Sequence, residues 1–252
     1  MEVKRALVTG AGKRLGRAMA LYLGERGFDV AVHYAQSDKG AQEVAQALRD
    51  MGRKAAVVQA DLLSLEACDT LVTRAAEALG GPLSCLVNNA SIFENDALQD
   101  ATHESWDRHF GSNLRAPFIL SQHFAAQAPA PVEDSQGEPL AQALIVNMVD
   151  QRVLHPGADF MTYTLAKSAL WTLTRTAAKA LAPAIRVNAI GPGPTLQGAH
   201  QSADDFAQER ASTPLTRGAG VQDITAALGY FIDAPAVTGQ LICVDGGQHL
   251  GG

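Results

Sequence analysis

The stretch Arg5-Ala6-Leu7-Val8-Thr9-Gly10-Ala11-Gly12-Lys13-Arg14-Leu15-Gly16 decides the fold. Arg5–Val8 is a short apolar run ending in a glycine cluster, and Leu15–Glu25 beyond it has the apolar spacing of a helix packed on a sheet. Glycines permit a tight turn and let backbone approach a pyrophosphate. The free N–H groups and dipole of a helix N-terminus favour the negative charge placed there. A glycine cluster alone closes ordinary loops; between a strand and a helix it predicts a dinucleotide turn at Gly10–Gly16.

Further along, Val-, Leu- and Ile-rich runs alternate with longer helical segments. The runs Arg5–Val8, Asp29–His33, Ala55–Gln59, Cys85–Asn88, Ala143–Asn147, Ile185–Ile190 and Leu241–Val244 read as strands buried on both faces. Leu15–Glu25, Lys39–Met51, Leu65–Ala78, His103–Ala126, Tyr163–Leu181 and Val221–Ile232 read as helices. This pattern predicts one α/β domain, a Rossmann-type doubly wound parallel sheet of seven strands with helices on both faces. Gln127–Pro139, with three prolines and a glycine among acidic residues, predicts an exposed loop. Pro192–Pro214 follows the sixth strand, at the sheet end where ligands bind, and predicts a substrate lid over residues 194–214.

Composition narrows the function. At 252 residues, 47% hydrophobic and 18% charged, the chain has ample core. A net charge of -6 without a basic run argues against nucleic acid and membrane surfaces and leaves a small-molecule partner. The N-terminal residues lack the apolar length and cleavage site of a signal peptide, and no stretch is long enough to span a membrane. Cys68, Cys85 and Cys243 form neither a disulfide framework nor a CxxC pair, so a cytoplasmic location is expected. The seven scattered histidines predict no metal site.

The end of the second strand, His33-Tyr34-Ala35-Gln36-Ser37, carries no acidic residue to hold the ribose 2′-OH of NAD. Lys13, Arg14, His33 and Ser37 offer charge and donors to a 2′-phosphate, which favours NADPH although Asp38 is close by. Asp61, in Ala60-Asp61-Leu62 past the third strand, either accepts from an adenine amino group or caps the next helix.

Tyr163 and Lys167 stand at i and i+4 of a helix, on one face. An ammonium beside a phenol favours the phenolate and lowers its pKa from about 10 toward the working pH, which suits a proton donor. Alone, this spacing is common and is usually a solvated face. It gains weight from Asn88-Asn89-Ala90-Ser91, Asn113, Asp150 and Pro192-Gly193, which the predicted sheet brings to one crevice, and the C-terminal Val244-Asp245-Gly246-Gly247 completes the series.

With the glycine turn, this ordered series resembles the short-chain dehydrogenase/reductase family over essentially the whole chain. The resemblance implies Tyr163 as proton donor, Lys167 on the nicotinamide ribose and the tyrosine, Asn113 at a proton-relay water, and Asn89 holding the sheet end near the cofactor. It also puts backbone groups around Gly193 and Thr195 on the carboxamide, places Leu15, Gly16, Tyr34, Leu62 and Ala90 along the cofactor, and implies a homotetramer or homodimer. Arg14, where the family's middle glycine is expected, and Asp150, where its catalytic serine is expected, resemble the pteridine reductase subgroup. His33-Tyr34, Ser37 and Asn88-Asn89-Ala90-Ser91-Ile92-Phe93 share that likeness, which implies that Arg14 and Ser91 contact cofactor and pterin and that Phe93 stacks on the pterin. Phe93 as a plain core or lid residue stays open. Gln36 replaces the subgroup's usual arginine.

Asp150 also carries an argument of its own. A serine hydroxyl donates to the oxyanion formed when a ketone takes hydride, whereas an ionised carboxylate only accepts and repels that charge. A pterin presents N–H and amino donors that a carboxylate holds, and its reduced C=N takes a proton at nitrogen. Asp150 and Tyr163 together suit that delivery if burial raises a carboxyl pKa. The alternatives are Asp150 as a turn or cap residue, reduction of another carbonyl or imine, and a non-catalytic dinucleotide-binding regulator.

Overall fold

The computed structural model describes residues 4–198 and 201–251. Seven parallel strands form the main sheet in the order β3-β2-β1-β4-β7-β8-β9. They are β1 (Arg5–Val8), β2 (Asp29–Tyr34), β3 (Ala55–Gln59), β4 (Cys85–Asn88), β7 (Ala143–Met148), β8 (Ile185–Pro192) and β9 (Leu241–Val244). All seven predicted strands are present, three of them extended at the carboxyl end. The order reverses beside β1, where β4 takes over from β2, and a crevice opens at the carboxyl ends there.

Alternation along each strand divides the core in two. Ala6, Val8, Val30 and Val32 pack with α1 (Arg14–Glu25), α2 (Asp38–Asp50) and α8 (Val221–Asp233) through Met19, Leu23, Val44, Leu48, Leu228 and Phe231. Leu7, Ala31 and Leu86 point the other way, onto α3 (Leu65–Leu79) and α5 (Ala116–Gln127) through Leu71, Val72, Leu120 and Phe124. The strand centres are therefore apolar on both faces, as a sheet covered on both sides requires.

Three departures from the sequence expectations have local causes. The single helix predicted over His103–Ala126 is α4 (His103–Phe110), a π-turn at Gly111–Arg115, and α5. Pro117 has no N–H to give the carbonyl of Asn113, so the helix widens there, and Asn113 is buried at the widened turn. The segment Gln127–Pro139 is not all loop: β5 (Val132–Glu133) and β6 (Pro139–Leu140) pair antiparallel. The Asp134 carboxylate accepts from Gln136 N and Glu138 N, and Gly137 at φ 79° closes the bend. This ribbon precedes β7, at the sheet end away from the crevice. Within the predicted lid lies α7 (Ala203–Ala211), capped by Ser202; residues 199 and 200 of that lid fall outside the described residues. α6 (Met161–Ala180) begins two residues before the predicted start.

Candidate active site

The glycine turn is built for close approach of backbone. Gly10 has φ +64°, and a Cβ on Gly16 would lie 2.2 Å from the Gly10 carbonyl oxygen. Arg14 occupies the left-handed region at φ 53°, at a cost of roughly 1–2 kcal/mol for a residue with a Cβ. Its guanidinium reaches over to donate to the carbonyls of Gln197 (2.8 Å) and Leu196 (3.0 Å). The arginine thus ties the cofactor turn to the start of the lid segment. The first turn of α1 has no side-chain cap and no acidic residue, and Lys13 is exposed at its start. That combination fits an anion at the helix N-terminus.

Asn89 fixes this turn from β4. Its Nδ2 donates to Thr9 O (2.8 Å) and Gly10 O (3.3 Å), while Asn89 N and Ala90 N both donate to Thr9 Oγ1 at 2.9 Å. His33 does something the sequence did not reveal. It is turned inward and buried, its Nδ1 accepts from Gly10 N (3.0 Å), and its Nε2 bonds the Ala60 carbonyl (3.1 Å). Both ring nitrogens are engaged, so His33 braces the turn and does not reach a 2′-phosphate.

Burial holds the His33 pKa down to about 4 from its ordinary 6.5. Between pH 6.5 and 4 the unfolded chain binds a proton that the folded one refuses. Stability is therefore complete above pH 6.5 and is lost as pH falls toward 4, by about 3 kcal/mol for this group. Urea titrations across that window should show this loss in the wild type and a flatter profile in His33→Asn.

The other cofactor-side residues are placed as follows. Ser37 precedes α2, with its backbone carbonyl 2.9 Å from where a Cβ on Gly12 would lie. The Tyr34 phenol bonds Asp38, which raises its pKa. Asp61 is exposed and accepts from Leu63 N at 3.0 Å, and the cap of α3 falls to Ser64; Leu62 is buried beneath. Gly193 N donates to Val244 O and Gly193 O accepts from Thr195 Oγ1, each at 3.0 Å. The expected offer of Gly193 backbone to a carboxamide is thus reduced, because the turn uses both groups.

At the crevice, the Tyr163 hydroxyl donates to Asp150 Oδ2 at 2.9 Å, and Asp150 Oδ1 accepts from Arg152 N at 2.9 Å. Lys167 is buried and donates to Met148 O at 2.7 Å, with its ammonium 5.6 Å from the centre of the Tyr163 ring. Here the structure corrects the sequence argument. Burial, the Asp150 charge and the Asp150 hydrogen bond raise the phenol pKa well above its ordinary value. Lys167 is not against the hydroxyl, so it does not offset them. Burial likewise raises the Asp150 carboxyl and lowers Lys167 to about 8. A buried phenol that keeps its proton, hydrogen-bonded to a carboxyl, is a proton donor held in one orientation.

Asn113 is fully buried, and its side chain clasps the Ile92 backbone: Ile92 N donates to Oδ1 (2.9 Å) and Nδ2 donates to Ile92 O (2.8 Å). Its side chain anchors the loop after β4, where the resemblance implied a relay water. That loop carries Ser91, exposed and donating to Ile92 O, and Phe93, which is 55% exposed. The Phe93 ring stacks on Phe160 (4.3 Å, 4°) and meets the Tyr163 ring edge-on at 4.7 Å. Phe160 went unnoticed in the sequence, as nothing local marks it. Among the described residues, Cys243, Asp245 and His249 bring metal-capable atoms within 4.8 Å of one another. Asp245 there accepts from Gly247 N, His249 N and His249 Nδ1, bonds that hold the turn after β9.

The sheet order and this crevice define an α/β dinucleotide-binding oxidoreductase. A family model described as enoyl-(acyl carrier protein) reductase matches residues 10–249, and the chain belongs to the short-chain dehydrogenase/reductase family. It is similar to the structure of FolM alternative dihydrofolate reductase 1 from Brucella canis complexed with NADP, at 40% identity and a TM-score of 0.91, covering 99% of this chain and 95% of that one. It is 30% identical to a 3-oxoacyl-[acyl-carrier-protein] reductase FabG of Staphylococcus aureus over 98% of each chain. It is also 33% identical to 3beta-hydroxysteroid dehydrogenase 1 of Eggerthella lenta, covering 98% of this chain and 94% of that one. No helix among the described residues is long and apolar enough to cross a membrane.

Proposed function

We propose that the chain is an NADPH-dependent reductase of a pteridine, a dihydropterin or a related ring, with Tyr163 as proton donor. The observation that carries this reading is the 2.9 Å hydrogen bond from Tyr163 to Asp150, a carboxyl where ketone reduction calls for a hydroxyl donor. The likeness to FolM supports it, and the likeness to FabG supports the rival, a reductase of 3-oxo compounds.

The residues fit a dinucleotide. The uncapped, acid-free N-terminus of α1 and the close-packed glycines at 10 and 16 suit a pyrophosphate. Lys13 is exposed and Ser37 lies beside Gly12, near the end of β2 that lacks an acidic residue, which suits a 2′-phosphate, while Arg14 is held on the lid side by Leu196 and Gln197. When bound, the reduced nicotinamide supplies a hydride. Asp150 accepts from ring N–H and amino groups and so selects a ring that presents them. Tyr163, protonated at neutral pH by burial, gives its proton to the ring nitrogen, and a proton taken up from solvent restores the phenol, with the Asp150 carboxyl of raised pKa in hydrogen-bond contact to pass it on. Lys167 holds the end of β7 through Met148 O and supplies the nearby positive charge. Phe93 offers an aromatic face, Ser91 a hydroxyl, and the segment around α7, joined to Arg14, closes the crevice as a lid.

The chain works as an oligomer in a reducing cytoplasm, its contacts on the face where Trp106 and Phe118 are nearly half exposed beside a cleft of about 320 Å³ lined by Phe110, Leu114 and Leu173. The test is steady-state NADPH oxidation with dihydropterins, dihydrofolates and 3-oxo compounds. Turnover of the pterin and folate rings is expected; turnover confined to the 3-oxo compounds would remove the pteridine assignment. Binding of NADPH with no turnover of any of them would favour a regulator.

A further inference from the structure

Behind Tyr163 lies a buried polar chain whose proton directions the contacts determine. Glu94 N donates to His109 Nε2 at 3.1 Å, so that nitrogen bears no hydrogen. The neutral ring therefore carries its proton on Nδ1, which lies 2.7 Å from Thr162 Oγ1 and donates to it. Thr162 Oγ1 in turn donates to Asp96 Oδ2, which also accepts from Ser105 Oγ at 2.9 Å. Asp96 Oδ1 accepts from Thr162 N at 3.0 Å, and Asp96 O from Met161 N at 3.1 Å. The two side-chain bonds of the chain run one way, from His109 through Thr162 to Asp96. All three side chains are buried, His109 completely.

The chain joins three elements around the site. Asp96 and Glu94 belong to the loop that carries Phe93, Ser105 and His109 to α4, and Thr162 to the first turn of α6, one residue before Tyr163. Asp96 takes the place of a cap on α6, whose own N-cap residue Phe160 stands at φ 51° with no capping side chain. The His109 ring meets the Tyr163 ring edge-on at 6.0 Å, while Asp150 takes the Tyr163 hydroxyl. Fixing α6 to the loop therefore also fixes the 4.7 Å contact between Phe93 and Tyr163.

We propose that His109, Thr162 and Asp96 form a positioning unit that holds the Tyr163 hydroxyl and the Phe93 ring in register for proton transfer. None of the three touches the reacting atoms in this arrangement. They act through Tyr163, and the inference rests on Tyr163 being the donor. A proton donor displaced by a fraction of an ångström loses rate without losing cofactor affinity.

The test uses the full chain and three variants. Thr162→Val removes the hydroxyl at constant shape and is expected to lower kcat about tenfold while the Kd for NADPH stays within about twofold. Thr162→Ser restores the hydroxyl and should return kcat to within about twofold of wild type. His109→Asn keeps a donor near Nδ1 and should fall between them. Unchanged kcat in Thr162→Val, or a loss that Thr162→Ser fails to restore, would overturn the inference. A readout that needs no substrate separates it from the pteridine reading: tyrosine labelled with carbon-13 at Cζ, the Tyr163 signal assigned with Tyr163→Phe. That resonance is expected to move in Thr162→Val and return in Thr162→Ser even if the wild type ignores every pterin offered. A resonance unmoved in Thr162→Val would refute the positioning role whatever the substrate.

Discussion

Replacing Tyr163 by Phe is expected to lower kcat about a thousandfold, within the range of roughly 10²–10⁴ for loss of a positioned acid, and to leave the Kd for NADPH nearly unchanged. The phenol hydroxyl is the buried donor in contact with Asp150, and burial keeps it protonated at neutral pH. The substitution keeps the ring, so the edge-on contact with Phe93 and the packing of α6 persist. Stability should change little, because removing the hydroxyl also relieves its cost of burial while Asp150 keeps Arg152 N as a partner. Single-turnover mixing of the NADPH-loaded protein with substrate checks the prediction by separating the chemical step from release. A variant as fast as wild type would remove Tyr163 as the acid and place proton delivery on another group.

Asp150→Ser should pull two substrate classes apart, with kcat/KM for pteridines falling about a hundredfold and turnover of 3-oxo compounds rising. The carboxylate holds the ring's N–H donors and passes solvent protons back to Tyr163; a serine gives up both. For a ketone the sign reverses, since the serine donates to the developing oxyanion that the carboxylate repels. The pKa logic agrees in direction. The Asp150 charge and hydrogen bond are the second and third causes raising the Tyr163 phenol, after burial. Removing them brings the phenol down, which makes it a readier donor to an alkoxide. Parallel kcat/KM measurements on a dihydropterin and a 3-oxo ester decide it, and equal changes on both would sink the charge argument.

Much of this molecule was readable along the chain. The strand-turn-helix at residues 5–25, the seven apolar runs and the spacing of Tyr163 and Lys167 each depend on neighbours a few positions away, where backbone sterics and side-chain period act. The absence of an acid at the end of β2 and the presence of Asp150 in place of a hydroxyl are likewise facts of single positions. The broken helix at Gly111–Arg115 had one local signal, Pro117, whose missing N–H opens the turn that buries Asn113.

The rest depended on contacts across tens of residues. His33 reads as an exposed strand end until β1 and β3 close around it and offer Gly10 N and Ala60 O. The Lys167 ammonium, one helical turn from Tyr163, goes to Met148 O because β7 presents that carbonyl, and the phenol goes to Asp150. Asp96, 66 residues from Thr162, caps α6 with no motif to announce it. Composition and period determined that the chain is a two-sided parallel sheet with a dinucleotide turn, because burial and backbone geometry are settled locally. Which proton sits where was decided only by tertiary structure, since hydrogen-bond partners and loss of water come from elements that the chain order keeps apart.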